Sequence, residues 1–237
     1  MPPVAILAGG LATRLRPLTE SVPKSLVEVA GEPFIFHQLA LLQTHGMQRV
    51  VVCLGAMGEQ IQCAIGNGSR WELHISYSAD GAAPLGTGGA IRAARPQLGK
   101  EFFVMYGDSY LRCDFAAIEA AFRSAKKTAL MTVLRNDNRW DQSNVLFRPG
   151  LGRDGELLRY DKQAPSDDMR HIDFGLGLFS AAAFDGYPEG EPLDLARVYT
   201  DLCQRGELAG YEVQDRFYEI GSPRGLAETR EFLERQT

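Results

Sequence analysis

Near its start the chain reads VAILAGGLATRLRPLTESVPK, residues 4–24. The first four residues, Val4 to Leu7, are apolar and predict a buried strand. The glycine pair that follows Ala8 lets an anion approach the backbone N–H groups of the turn. Three cations follow the glycines before the stretch ends: Arg14, Arg16 and Lys24. Together these features predict an anion cradle. The spacing matches neither GxxxxGK[ST] nor GxGxxG, so those two phosphate-binding mechanisms are not expected.

Outward from this loop, strand-like and helix-like segments alternate through the first half of the chain. The predicted strands cover residues 4–7, 48–53, 73–77, 102–106 and 129–134. The predicted helices cover residues 33–45, 57–65, 88–94 and 115–125. Strands that are apolar almost throughout are typical of a parallel sheet with helices on both faces. The sequence therefore predicts an α/β fold with a mostly parallel central sheet.

The pattern changes after Arg135 to short strands separated by turn residues. The best strand candidates are residues 144–147, 157–160 and 172–179, and helices return at 194–204 and 223–234. Residues 150–155 fit GxGxxG formally, but they lie between two strand candidates and lead into no helix, so they predict a hairpin turn. No linker, repeat or compositional break divides the chain. We therefore expect a single domain, 1–237, with halves meeting at about residue 135.

Composition excludes several classes of protein. The 237 residues are 45% hydrophobic and 23% charged, which indicates a globular protein with a sizeable core. No apolar run approaches the roughly 20 residues of a membrane span, and no secretory signal is evident, so we expect a cytoplasmic protein that contacts no membrane. The net charge of −5 disfavours nucleic acid as a partner. An anionic ligand would have to bind at a local cluster of cations.

Several segments, in order, resemble the sugar-1-phosphate nucleotidyltransferases, the NDP-sugar pyrophosphorylases. Residues 9–24 resemble the signature GGxxTRLxPLTxxxPK of that family. Further resemblances, which together extend over nearly the whole chain, are PLGTGGA at 84–90, YGD at 106–108, YDK at 160–162, IDFG at 172–175 and YEIGSP at 218–223. The resemblance implies a Rossmann-like nucleotidyltransferase fold. Its first half would bind the nucleotide and its second half the sugar phosphate.

The resemblance also implies a role for each matched residue. Arg14, Lys24, Asp108 and Lys162 would be catalytic, and Asp108 and Glu219 would hold Mg²⁺. The nucleotide would be bound by Ala8, Gly9, Gly10, Thr13, Arg14, Gly86, Thr87 and Gly107. The sugar phosphate would be bound by Lys162, Asp173 and Gly88. Two positions differ from the usual pattern, since Glu219 stands where the family has Asp and Asp173 stands where it commonly has Asn.

The implied substrates are an NTP and a sugar 1-phosphate, and a homo-oligomer is possible. Segment 84–91 is most similar to the short heptose 1-phosphate guanylyltransferases, with N-acetylmuramate 1-phosphate uridylyltransferases next and hexose 1-phosphate uridylyl- or thymidylyltransferases as a further alternative. A glycosyltransferase that uses an NDP-sugar is a rival from another class, but such enzymes usually carry Asp-x-Asp, and here Ser109 and Tyr110 follow Asp108. A non-catalytic nucleotide-sugar sensor would be expected to lack Arg14, Lys24 or Asp108.

Overall fold

The computed structural model describes residues 1–10, 13–81 and 83–236. The strands within them are β1 (Val4–Leu7), β2 (Glu28–Val29), β3 (Glu32–Pro33), β4 (Arg49–Leu54), β5 (His74–Ala79), β6 (Glu101–Tyr106), β7 (Ser109–Tyr110), β8 (Ala129–Arg135), β9 (Val145–Pro149), β10 (Asp154–Tyr160), β11 (His171–Ser180), β12 (Leu208–Val213) and β13 (Tyr218–Glu219). The α-helices are α1 (Phe34–Thr44), α2 (Gly58–Ile65), α3 (Gly86–Leu98), α4 (Phe115–Ala125), α5 (Leu195–Gln204) and α6 (Pro223–Glu234). Every predicted strand and helix has a counterpart among these elements.

Within the described residues, nine strands form one sheet in the order β5-β4-β1-β6-β11-β8-β12-β10-β9. The strands β5, β4, β1 and β6 are parallel to one another, as predicted for the first half. Beyond β6 the sheet is mixed, because β11 runs antiparallel to both β6 and β8 while β12 is parallel to β8. The α/β fold class is confirmed. Strands from both sides of residue 135 share this sheet.

Strand β12 was missed by the sequence analysis, since the glycine in its middle, Gly210, weakens a strand pattern. The structure shows what that glycine does. A Cβ atom at Gly210 would lie 2.6 Å from Cε2 of Phe147, so the missing side chain makes room for a core aromatic ring. The predicted turn at 150–155 does join two antiparallel strands, β9 and β10.

The helices cover both faces of the sheet, and strand β1 shows how its sequence produces this. Successive side chains of a strand point to opposite faces. Val4 and Ile6 belong to a core cluster with apolar residues of α1, α2 and α4, whereas Ala5 lies in a second cluster with residues of α3 and α5. A strand buried on both faces therefore needs apolar residues at consecutive positions.

A third, smaller core cluster positions the functional site. It joins Leu15, which follows the glycine loop, to residues of β2, α1 and α6 and to Ile220. Helix α6 begins immediately after this contact, with the Ser222 hydroxyl accepting the Gly225 N–H at 3.0 Å. The cluster thus brings the end of the chain against the segment that carries Arg14 and Lys24. No described helix is long and apolar enough to span a bilayer.

Candidate active site

A cleft of about 300 Å³ lies at the carboxyl ends of β1, β4, β5 and β6. In open α/β sheets this edge is where ligands bind. The lining residues are Leu7, Ala8, Gly9, Gly10, Lys24, Ser25, Cys53, Asp80, Pro84, Gly86, Thr87, Ala90, Tyr106, Gly107 and Asp108. The cleft thus brings together most of the residues predicted to bind the nucleotide. The side chain of Thr13 is not described, and Leu11 and Ala12 of the predicted loop lie outside the described residues.

Backbone crossings explain the glycines of this cleft. A Cβ atom at Gly55 would lie 2.6 Å from the carbonyl oxygen of Gly9 and 2.8 Å from its Cα atom. A Cβ atom at Gly107 would lie 2.7 Å from the carbonyl oxygen of Leu7. Gly10, in contrast, has open space where its side chain would be. Gly9 and Gly107 therefore let adjacent loops pack closely, while Gly10 leaves the cleft open.

Two charged groups of the cleft, Lys24 and Asp108, meet at one end of it. The Lys24 ammonium lies 2.5 Å from Asp108 Oδ2, and the Lys24 side chain is only 14% exposed. The hydroxyl of Ser109 donates to the other carboxylate oxygen of Asp108 at 3.1 Å. Burial strengthens such an ion pair, because less water competes for the two groups.

The second predicted carboxylate, Glu219, comes to the same place through strand pairing. Ser109 of β7 lies opposite Glu219 of β13, and the N–H of Ile220 donates to the carbonyl oxygen of Asp108 at 2.9 Å. The Glu219 carboxylate accepts the Ser222 hydroxyl at 2.6 Å and also the Gly221 N–H. It therefore rests against the first turn of α6.

Gly221 marks the point where this carboxylate meets two cations. A Cβ atom there would lie 2.7 Å from Glu219 Oε2, 3.0 Å from Lys24 Nζ and 3.3 Å from Arg14 Nη2. Arg14, Lys24, Asp108 and Glu219 thus converge, although they come from three distant parts of the sequence. The described residues contain no group of three or more His, Cys, Asp or Glu side chains arranged to hold a metal ion.

Two of the residues predicted to bind the sugar phosphate, Lys162 and Asp173, lie near Tyr106, which lines the cleft. The Lys162 ammonium is 5.9 Å from the centre of the Tyr106 ring. Asp173 lies where the register of β11 against β8 shifts, and its carboxylate accepts the Gly175 N–H at 3.0 Å. Burial raises the pKa of Asp173, while that hydrogen bond and the charge of Lys162 oppose the rise. Lys162 and Asp173 therefore interact electrostatically beside the cleft.

Thr87 and Gly88 have contacts that the sequence analysis did not anticipate. The Thr87 hydroxyl donates to Asp194 at 3.0 Å and accepts the Leu195 N–H at 2.9 Å, so it joins the beginnings of α3 and α5. A Cβ atom at Gly88 would lie 2.9 Å from Cγ of Leu193. These contacts fix the first turn of α3, which borders the cleft, against the start of α5.

The sequence analysis missed three polar residues at or beside the cleft. Asp80 follows β5 directly, and Leu85 N–H donates to its Oδ2 at 3.2 Å; burial raises the pKa of this carboxyl group. The Ser25 hydroxyl is buried in the cleft wall without a partner among the described residues. Gln38 lies beneath the turn that carries Asp108. Of the three, only Asp80 could have been recognised in the sequence, because it closely follows a predicted strand.

Comparison with known proteins identifies the family. Residues 4–143 match the model of the nucleotidyl transferase family. The N-acetylmuramate alpha-1-phosphate uridylyltransferase of Neisseria meningitidis serogroup B is 31% identical to the chain over 228 residues, which are 95% of each protein. The chain belongs to the nucleotidyl transferase family. The predicted family is confirmed, and with it the expectation of an enzyme.

Two further comparisons show how much of the chain resembles known proteins. A glucose-1-phosphate thymidylyltransferase from Streptomyces griseus is 35% identical over 75% of this chain and 49% of its own length. HddC from Yersinia pseudotuberculosis complexed with GMP-PN superposes with a TM-score of 0.76 and 22% identity over 98% of this chain and all of that one. This last likeness shows the shared fold. The Neisseria relative, which matches 95% of this chain, is similar to it on both sides of residue 135.

Proposed function

We propose that the protein transfers a nucleoside monophosphate from an NTP to a sugar 1-phosphate. The single observation that carries this proposal is the convergence of Arg14, Lys24, Asp108 and Glu219 at one end of a glycine-lined cleft. A phosphate oxygen of the sugar 1-phosphate attacks the α-phosphorus, the bond to the β-phosphate breaks, and pyrophosphate leaves. The NDP-sugar retains the attacking oxygen.

No general base is needed, because the attacking phosphate oxygen is already an anion. Catalysis then depends on aligning two polyanions and on neutralising the charge of the transition state. Lys24 and Arg14 lie where they can contact the triphosphate, and Gly10, with open space where a side chain would be, lets it approach the backbone. In this proposal Lys24 exchanges its contact with Asp108 for one with phosphate.

The paired carboxylates fit a divalent cation such as Mg²⁺. Mg²⁺ in nucleotide enzymes is commonly held by one or two carboxylates and by substrate phosphates. Asp108 and Glu219 supply two carboxylates next to two cations that bind phosphate. When bound, the ion would neutralise charge at the α-phosphate. The chain's own part is to hold both carboxylates at the phosphate end of the cleft.

Lys162 and Asp173 support an acceptor site in the second half of the chain. Lys162 is exposed and lies beside Tyr106, so its ammonium is available to an acceptor phosphate next to the cleft. The Asp173 carboxylate, behind it, could accept a hydrogen bond from a sugar hydroxyl. The division into a nucleotide half and a sugar-phosphate half belongs to this proposal.

Asp80 favours guanine as the base. It follows β5, which lies three strands from β6 in the sheet, whereas Asp108 and its partner Lys24 lie at the end of β6. A carboxylate repels phosphate, so the base is the part of the nucleotide expected beside Asp80. Guanine presents two donors side by side, N1–H and the N2 amino group, to a carboxylate. Uracil and thymine present one N–H between two carbonyl oxygens that a carboxylate repels. We therefore propose GTP as the preferred nucleotide and, from the resemblance of segment 84–91, a heptose 1-phosphate as acceptor.

A second candidate is transfer of UMP to N-acetylmuramate 1-phosphate. The 31% identity to the Neisseria uridylyltransferase over 95% of both chains favours it. Because that candidate requires uracil in the cleft, the base preference separates the two.

The test is a panel of five NTPs against heptose, N-acetylmuramate and hexose 1-phosphates, with pyrophosphate release measured in the presence of Mg²⁺. We expect at least tenfold higher kcat/KM with GTP than with UTP or dTTP, and we expect Asp80→Asn to reduce that ratio. A preference for UTP with N-acetylmuramate 1-phosphate would replace the first candidate by the second. No pyrophosphate release with any pair would overturn the proposed reaction.

A further inference from the structure

Gln38 connects the core helix α1 to the turn that carries Asp108. Its side chain is completely buried, at 0% exposure. The carboxamide nitrogen donates to the carbonyl oxygen of Tyr106 at 2.9 Å and to that of Ser109 at 2.8 Å. These two carbonyls flank Gly107 and Asp108. One amide group therefore closes the turn between β6 and β7 from below.

Besides the side-chain contacts of Asp108 with Lys24 and Ser109, this turn is held by two backbone hydrogen bonds and a short strand pair. The Gly107 N–H donates to Leu7 at 3.0 Å, and the carbonyl oxygen of Asp108 accepts from Ile220 at 2.9 Å. Strand β7 has two residues and, among the strands that the structure describes, pairs only with β13, which also has two. An isolated pair of such short strands is not stable by itself. The position of the Asp108 carboxylate therefore depends on what holds the turn against the core.

Gln38 contributes this support although its own carbonyl oxygen, Oε1, is buried without a partner among the described residues. An unpaired buried acceptor lowers stability. A methionine of similar length would fill the same space without that cost, but it would leave the two turn carbonyls without the donor. The two turn carbonyls are therefore what an amide serves at this position, and its effect is local to the turn.

We propose that Gln38 is a positioning residue, whose carboxamide fixes the Tyr106–Ser109 turn so that Asp108 faces Lys24 and lies beside Glu219. The inference rests on the proposed function for its effect on turnover. Gln38 touches neither substrate nor metal in this scheme. It acts through the backbone on both sides of Asp108, and through the pairing of Ser109 with Glu219 it also affects the spacing of the two carboxylates.

The matched variants are Gln38→Met and Gln97→Met in the full chain. Gln97 also donates from its amide to a backbone carbonyl, that of Tyr77 at 3.1 Å, but it lies in the last turn of α3, away from the cleft. For both variants we would measure Tm, amide hydrogen exchange over residues 106–112, kcat, the KM for the NTP, and Mn²⁺ affinity in the presence of the NTP.

With Gln38→Met we expect at least tenfold faster exchange in the turn, at least tenfold lower kcat and at least fivefold weaker Mn²⁺ binding. The KM for the NTP should change less than twofold. Gln97→Met should match the parent in exchange rate, kcat, Mn²⁺ affinity and KM. Exchange in the turn equal to that of Gln97→Met would overturn the inference, because then Gln38 does not hold the turn. Faster exchange with unchanged kcat and Mn²⁺ affinity would overturn it as well, leaving only a structural role.

These readouts separate the inference from the proposed reaction. The parent enzyme is assayed first with the panel of NTPs and sugar 1-phosphates. If the parent releases no pyrophosphate, the proposed function fails, while hydrogen exchange and Mn²⁺ binding still decide whether Gln38 positions Asp108. If the parent is active and the turn of Gln38→Met is unaltered, only the positioning role fails.

Discussion

The Lys24 ammonium and the Asp108 carboxylate lie 2.5 Å apart, although 84 positions separate them in the chain. The pair joins the glycine-loop segment to the end of β6. Both groups are partly shielded from water, so each holds the other in place and neither carries an isolated charge. In the proposed reaction the two groups separate, so that Lys24 contacts phosphate and Asp108 holds the metal ion. Variants of these two residues therefore test the proposal directly.

Lys24→Ala should lower kcat/KM about 100-fold, since removal of one charge-stabilising group at a reacting phosphate costs on the order of 3 kcal/mol. The fold should persist, because Asp108, the group that loses its partner, remains partly exposed to water. Pyrophosphate release and circular dichroism measure the two effects. Lys100→Ala, at an exposed lysine, is the control. A Lys24→Ala enzyme with at least half the parent kcat would exclude the assigned role.

Lys162→Ala should raise the KM for the sugar 1-phosphate about tenfold or more and leave the KM for the NTP within twofold. The reason is that a charged hydrogen bond to the acceptor phosphate is lost while the cleft is untouched. Initial rates with each substrate varied in turn provide the measurement. Lys162→Arg, which keeps the charge, should restore part of the affinity. Equal changes in both KM values would mean that Lys162 does not belong to the acceptor site.

Turnover should require a divalent cation held by Asp108 and Glu219. An NTP carries roughly four negative charges, and Arg14 and Lys24 cannot offset them alone. Asp108→Asn should therefore lose activity and Mg²⁺ response together. Glu219→Asp keeps the carboxylate and restores the usual family residue, so it should retain substantial activity. Rates measured across a Mg²⁺ titration, with EDTA as the zero point, test this.

The metal assignment has two clear counter-results. Full turnover in excess chelator would remove the cation from the reaction. An Asp108→Asn variant whose Mg²⁺ dependence matches that of the parent would place the cation elsewhere.

Asp173→Asn should stabilise the protein at neutral pH. Burial raises the pKa of the Asp173 carboxyl above its unfolded value, so its contribution to stability is fully present below the unfolded pKa of about 3.9 and is lost as pH rises through the folded pKa. Asparagine can keep the hydrogen bond from the Gly175 N–H. The variant should therefore melt a few degrees above the parent at pH 7.5, and the difference should shrink towards pH 4.

Thermal melts at the two pH values, with the exposed Asp167→Asn as the control, provide the comparison. A Tm for Asp173→Asn at or below that of the parent at pH 7.5 would contradict the assigned burial of charge. The same variant tests the acceptor site, because a lower affinity for the sugar phosphate would show that the cost in stability serves binding.

The sequence by itself determined the parts of the protein that depend on local patterns. The alternation of apolar strands with helices predicted a mostly parallel α/β sheet, and the glycine pair after β1 with the cations that follow it predicted an anion-binding loop. Helix α4 was predicted at its observed bounds because an apolar stripe begins just after its cap, Asp114. Such features are set by residues within a few positions of each other.

The tertiary structure alone decided which distant groups meet. Glu219 reaches Arg14 and Lys24 because Leu15 and Ile220 are buried in the same small core cluster. Gln38 has the pattern of an ordinary helix residue, and only the packing of α1 beneath β6 gives its amide the carbonyls on either side of Asp108. Strand β12 was missed because its middle residue is Gly210. That glycine makes room for the Phe147 ring, which comes from another strand of the sheet. Contacts of this kind depend on how the elements pack, and no local pattern encodes that.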